Sequence, residues 1–192
     1  MQFDLTNPEF IGSVAVVVLL VVLGVVFYVR KRHKTSAGLR TRFGPEYDRA
    51  VVAHGSPRKA EAQLADRQTR VEGMKLRELG SAERTRFTTE WQAVQSRFVD
   101  HPKGALTEAD ELVSALLIAR GYPVADFDRR AADISVNHPL LVEHYRSAHG
   151  VIARMGKDEA STEDLRTAMI QYRSLFDELL EVHSPVAIKA VA

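Results

Sequence analysis

Apolar residues follow two different patterns along this chain. Residues 10–29 carry no charge and almost no polar side chain. As a helix rising 1.5 Å per residue, such a run spans roughly 30 Å, the hydrocarbon thickness of a bilayer. From residue 43 onward, apolar positions recur instead at spacings of three and four, the mark of helices with one buried face. Alternating β-branched runs bounded by turn residues are missing outside the first segment. The pattern predicts an all-α protein, with a single N-terminal transmembrane helix followed by a small multi-helix bundle domain.

Helix boundaries can be placed from the punctuation. A short helix follows Gly44-Pro45, with Phe43, Tyr47 and Val51 on one face, and His54-Gly55-Ser56-Pro57 breaks it. Pro suits a first helical turn, and Ser56 is placed to cap the next helix, which runs to about Met74. Its stripe of Ala60, Leu64, Val71 and Met74 is thin, so residues 43–80 read as peripheral or stalk helices. Ser81 is the expected N-cap of a third helix carrying Phe87, Trp91, Val94 and Phe98, with Glu83 in its positive first turn. Three aromatics at helical spacing are read as core rather than as a peptide groove.

After His101-Pro102-Lys103-Gly104, a helix with Leu106, Ala109, Val113, Leu116 and Leu117 on one face runs to Arg120. Gly121 and Pro123 stop it. A short helix over residues 124–134 carries Phe127, Ala131 and Ile134. Another follows Asn137-His138-Pro139, with Leu141, Tyr145, Ala148, Ile152 and Met155 in its stripe, and ends at Gly156. Ser161-Thr162-Glu163-Asp164 opens the last helix as a capping box with Asp in place of Glu. Leu165, Met169, Tyr172, Phe176 and Leu179 line that helix, and the two final helices are expected to pair as an antiparallel hairpin.

The resulting organisation is a short extracytoplasmic N-terminus (residues 1–9), the transmembrane helix (10–29), a basic collar and joint (30–42), the stalk helices (43–80), the bundle (81–181) and a frayed tail (182–192). The stretch before the apolar run contains Asp4 and Glu9 and no Lys or Arg, whereas Arg30, Lys31, Arg32, Lys34, Arg40 and Arg42 follow it. That asymmetry, with a run too long for a signal peptide, predicts an uncleaved anchor with its N-terminus outside and its C-terminal domain in the cytoplasm. The expected first partner is therefore the lipid bilayer, through residues 10–29.

Charge narrows the function classes. Residues 43–192 hold 20 Lys+Arg against 23 Asp+Glu, a net of −3, which argues against nucleic-acid binding. Cysteine is absent, which removes disulfides and thiolate chemistry. Among the histidines, His138, His144 and His149 cluster near Glu143. His144 and His149 are five apart and point about 140° away from each other on a helix, so no metal site is expected. The acidic pairs Asp126/Asp128, Asp158/Glu159, Glu163/Asp164 and Asp177/Glu178 read as solvated or helix-capping groups. No phosphate loop, nucleophile elbow or zinc-protease helix is present. No catalytic, cofactor-binding or metal residue is therefore assigned, no cofactor is expected, and the chain is not expected to be an enzyme.

The strings RTRFGPEYDRAV (residues 40–51), AVQSRFVDHPKGALTEADELV (93–113), RGYPVADFDRRAADISVNHP (120–139) and STEDLRTAMIQYRSLFDELL (161–180) carry a resemblance. Over nearly all of residues 40–180 the chain resembles a widespread group of uncharacterised bacterial proteins in which one N-terminal membrane helix precedes a soluble domain. The resemblance implies a bacterial inner-membrane location and one intact domain, and supplies no activity or catalytic residue. The functional expectation is a cytoplasmic helical protein-interaction module. One alternative is a membrane-tethered enzyme built from scattered His and acidic residues. A third reading is a homo-oligomeric, self-associating anchor with residues 57–75 as its stalk.

Overall fold

The computed structural model describes residues 19–24, 26, 27, 30 and 36–181, and every regular element among them is helical, with no strand. The chain divides into two compact units, residues 1–42 and 43–192. In the first unit the described residues are helical, and Leu19, Leu20, Val21, Val22, Leu23, Val26 and Phe27 are exposed. Among the described residues no helix is long and apolar enough to cross a membrane. Much of the expected span at residues 10–29, most of the basic collar, and the tail at 182–192 lie outside the described residues.

The second unit consists of α1 (Pro45–His54), α2 (Pro57–Glu72), α3 (Ser81–Phe98), α4 (Pro102–Ala119), α5 (Phe127–Asn137), α6 (Leu141–Met155) and α7 (Thr162–Glu181). Proline opens α1, α2 and α4, where its missing N–H would have no intrahelical acceptor. Ser56 caps α2, its hydroxyl accepting from the Lys59 N–H. At α7 the expected Asp-bearing box is present. Ser161 Oγ accepts from the Asp164 N–H at 3.1 Å, and the Asp164 carboxylate accepts from the Ser161 N–H at 2.9 Å.

Two starts differ from expectation. Gly80, not Ser81, is the cap of α3, because the Glu83 carboxylate reaches back to the Gly80 N–H at 3.0 Å. The short helix α5 begins at Phe127 rather than Val124. The Asp126 side chain caps it through the Arg129 N–H at 2.8 Å, leaving Val124 outside and exposed. Gly121 ends α4 as expected, and its φ of +96° is one reason only glycine fits. The other is the neighbouring chain: a Cβ there would lie 2.5 Å from the Lys75 carbonyl oxygen.

The helices form a row of neighbours in the order α3, α4, α7, α6, α5, α2, α1. The hairpin of α6 and α7 is its most extensive pairing. Ala148 is fully buried in that seam, and the Tyr145 and Tyr172 rings meet edge to face at 6.1 Å. The buried face of α6 is rotated slightly from the expected stripe. Val142 and Val151 are buried with Tyr145 and Ala148, whereas Leu141 and Ile152 lie half-buried. Trp91 is core, as expected, and stacks on Phe176 with ring centroids 4.6 Å apart.

The two helices read as a stalk, α1 and α2, lie within the same compact unit as the bundle. Their apolar stripe is thin, yet Ala60 and Leu64 are fully buried. Charge does the remaining docking. Arg70 of α2 donates to Asp133 of α5 at 3.0 Å, and Asp133 is almost fully buried. Glu46 of α1, 1 % exposed, accepts two hydrogen bonds from Arg146 of α6 at 3.2 and 3.1 Å. Arg67 and Arg49 lie 3.5 and 3.3 Å from the same carboxylate.

Candidate functional site

A surface groove of about 450 Å³ lies between α3 and α4. Val94 and Leu112 form its floor, and the small side chains of Ala93 and Ala115 flank it. The rim is charged: Glu90, Glu108 and Glu111 against Arg97, whose guanidinium is already bonded to Glu108. The rim therefore carries a net negative charge. Helical spacing explains why the groove exists. Glu111, Ala115 and Ile118 fall at i, i+4 and i+7 on a face of α4 that is separate from its core stripe. Ile118, on that line, is 46 % exposed.

A second constellation lies where α4, α5, α6 and α7 meet. Asp110 Oδ1 accepts a hydrogen bond from the Tyr172 hydroxyl at 2.9 Å and lies 3.4 Å from His149 Nδ1. The His149 ring stacks on Phe127, 3.7 Å between centroids and nearly parallel. Burial works to raise the Asp110 pKa. The hydrogen bonds from His149 and Tyr172, with the charges of His149 and Arg130, outweigh it and hold the carboxyl below its ordinary range. The Tyr172 hydroxyl moves the other way, pushed far up by burial and by the charge of Asp110. Tyr145 Oη and Arg130 Nε are buried beside this cluster and have no hydrogen-bond partner among the described residues.

With Nδ1 facing Asp110, Nε2 is the nitrogen left for solvent or a ligand. The side chain is about a third exposed, at 31 %. The arrangement can hold or accept a proton and can anchor the α4, α6 and α7 helices together. Sequence reasoning weighed His149 only as a metal ligand and treated Tyr145 and Tyr172 as seam residues; Asp110 was missed. The available signal was its position. Asp110 falls four residues after Leu106 and three before Val113, on the buried stripe of α4.

The other weighed residues are scattered. His138 lies 3.3 Å from Glu178, and burial lowers its pKa against the opposing pull of that carboxylate. Glu143 faces Arg49 at 3.4 Å, and His144 is exposed. Asp126 caps α5, Asp158 pairs with Lys103 at 2.6 Å, Glu163 with Arg166 and Asp177 with Arg173. Among the described residues no three His, Asp or Glu side chains are grouped so as to hold a metal ion. No protein-family model, curated protein or solved structure matches the chain.

Proposed function

We propose that this chain is a membrane-tethered helical adaptor that docks a basic, amphipathic helix of a partner protein in its α3–α4 groove. The groove carries the reading: an apolar floor, small flanking side chains and an acidic rim match a helix with one apolar face bordered by Lys or Arg. The tether rests on the uncharged run at residues 10–29 and the basic residues after it. Exposed Leu, Val and Phe side chains within helical residues 19–24, 26 and 27 suit a lipid surround better than water. On this reading the domain lies in the cytoplasm.

The test uses full-length protein in nanodiscs and a designed helical peptide with Leu on one face and Lys along its flanks. Fluorescence anisotropy should report binding that weakens at least tenfold in Glu90→Lys/Glu111→Lys and falls with added salt. Binding indifferent to the reversal removes the groove from consideration. The tether has its own assay: the protein should resist alkaline extraction from membranes, and a C-terminal reporter should fluoresce only if it stays in the cytoplasm.

The Asp110–His149 pair favours a second reading, a tethered enzyme that uses His149 as a general base. Hydrolysis of an activated ester would then exceed that by free imidazole and disappear in His149→Gln. A rate equal to free imidazole leaves the adaptor alone.

A further inference from the structure

A cavity of about 230 Å³ opens between α1, α2, α5 and α6, lined by Glu46, Arg49, Ala50, Ala53, Arg67, Asp128, Ala132 and Arg146. Its charged lining is three arginines against one glutamate and one aspartate. Glu143 reaches Arg49 from the side, at 3.4 Å, and balances the third charge. The surplus is one of donors. Each guanidinium offers five N–H groups, whereas the Glu46 carboxylate has about four lone-pair positions and Arg146 takes two of them.

Arg67 is the least satisfied of the three. Its side chain is only 17 % exposed, and its buried Nη1 lies 3.5 Å from Glu46 and makes no hydrogen bond among the described residues. Burial correspondingly pulls its pKa below the ordinary arginine value. A buried cationic donor left without an acceptor is costly, so the geometry calls for an acceptor inside the cavity. Arg49, half exposed at 50 %, stands where such a ligand would meet solvent.

We infer that this cavity is an oxyanion site of the phosphate class, in which Arg67 and Arg49 supply the donors that Glu46 leaves unused and Arg146 holds the floor. Forked guanidinium donors match phosphate oxygens two at a time, and the volume accommodates a group larger than a carboxylate. Asp128 at the exposed edge opposes a highly charged ligand and favours a monoanion or monoester over a polyphosphate. The same chemistry could be presented by free phosphate or by a phosphomonoester lipid headgroup.

Isothermal titration of inorganic phosphate into the full-length protein in phosphatidylcholine nanodiscs, at constant ionic strength with chloride as the control, tests the site. Saturable binding is expected, weakened at least tenfold by Arg67→Met and, independently, by the solvent-facing Arg49→Gln. Arg67→Met should keep the wild-type melting temperature or raise it, because it removes an unsatisfied buried charge. Repeating the titration in nanodiscs that contain phosphatidate separates the sources. Loss of free-phosphate binding identifies the headgroup as occupant, and unchanged binding identifies the soluble anion. No saturable binding in the wild type, or equal affinity in wild type and both folded variants, overturns the inference.

Discussion

Replacing Glu46 by Gln tests whether charge docks α1 onto the bundle. The substitution keeps the side chain's size and removes one negative charge, leaving Arg146 and Arg67 around a neutral amide. Those guanidinium side chains are 16 % and 17 % exposed, so neither can turn wholly into water. Removing one partner of a buried ion pair costs about 3–5 kcal/mol, mostly through the stranded charge. The residual exposure of both arginines allows some rehydration, and the half-exposed Arg49 adds little of its own. The lower end, about 3 kcal/mol, is therefore expected. For a unit of this size that corresponds to a fall of roughly 6–12 °C in melting temperature.

Thermal and urea unfolding of a fragment covering residues 40–192, followed by circular dichroism, measures the loss. The triple variant Glu46→Leu/Arg67→Met/Arg146→Met separates charge from packing, because well-packed apolar replacements of a buried ionic pair or triad are often neutral. It should recover most of the stability lost in Glu46→Gln. A single variant within 1 kcal/mol of wild type would refute the reasoning, since Glu46 would then be hydrated and α1 held by other contacts. A triple variant no better than the single one would place the loss in packing.

Three other outcomes are expected. Ala148→Leu overpacks the α6–α7 seam, where Ala148 is fully buried, and should cost typically 1–3 kcal/mol; an unchanged melting temperature would mean the helices do not close there. Trp91→Ala removes a ring that is 4 % exposed and stacked on Phe176, and should cost about 3–5 kcal/mol in urea unfolding; a nearly neutral result would contradict its core position. Stability should fall on acidification. His138 has a folded pKa depressed chiefly by burial, so its stabilisation is complete above the unfolded value near 6.5 and is lost as pH falls through the folded one. The urea midpoint should drop as pH falls below about 6.5, less so in His138→Gln, and a rising midpoint would show the sign to be wrong. Asp110 contributes in the same direction at lower pH, below about 3.9.

Much of the helical frame is legible in the sequence, because spacing and caps are local. Leu165, Met169, Tyr172, Phe176 and Leu179 all lie on the buried face of α7, and the Ser161–Asp164 box marks its start. Where boundaries moved, a side chain displaced them by reaching a backbone N–H: Glu83 to Gly80, and Asp126 to Arg129. Such reach depends on geometry that residue type alone does not specify. The groove between α3 and α4 was not legible either, since it arises from two helices being neighbours, and Ala93 and Ala115 carry no hydrophobic signal strong enough to mark it.

The buried ionic groups failed for a different reason. A periodicity argument scores apolar residues and assigns charged ones to solvent, so it discards the informative exceptions. Glu46, Tyr47 and Ala50 share one face of α1, and all three are buried. Asp110 likewise interrupts the stripe that contains Leu106, Val113 and Leu117. A carboxylate on an apolar stripe must find donors from another element, because burying it alone would cost more than the fold can supply. The sequence position of Glu46 or Asp110 thus implies a partner without naming it. The partners come from residues 100 positions away in the case of Arg146, and 39 and 62 away in the cases of His149 and Tyr172. Only the packing of α1, α4, α6 and α7 brings these pairs together. For the same reason the thin stripe of α2 was a poor guide to its place in the fold. Helices joined through Glu46 and Asp133 need little apolar surface of their own, and a reading based on hydrophobicity assigns them to a stalk.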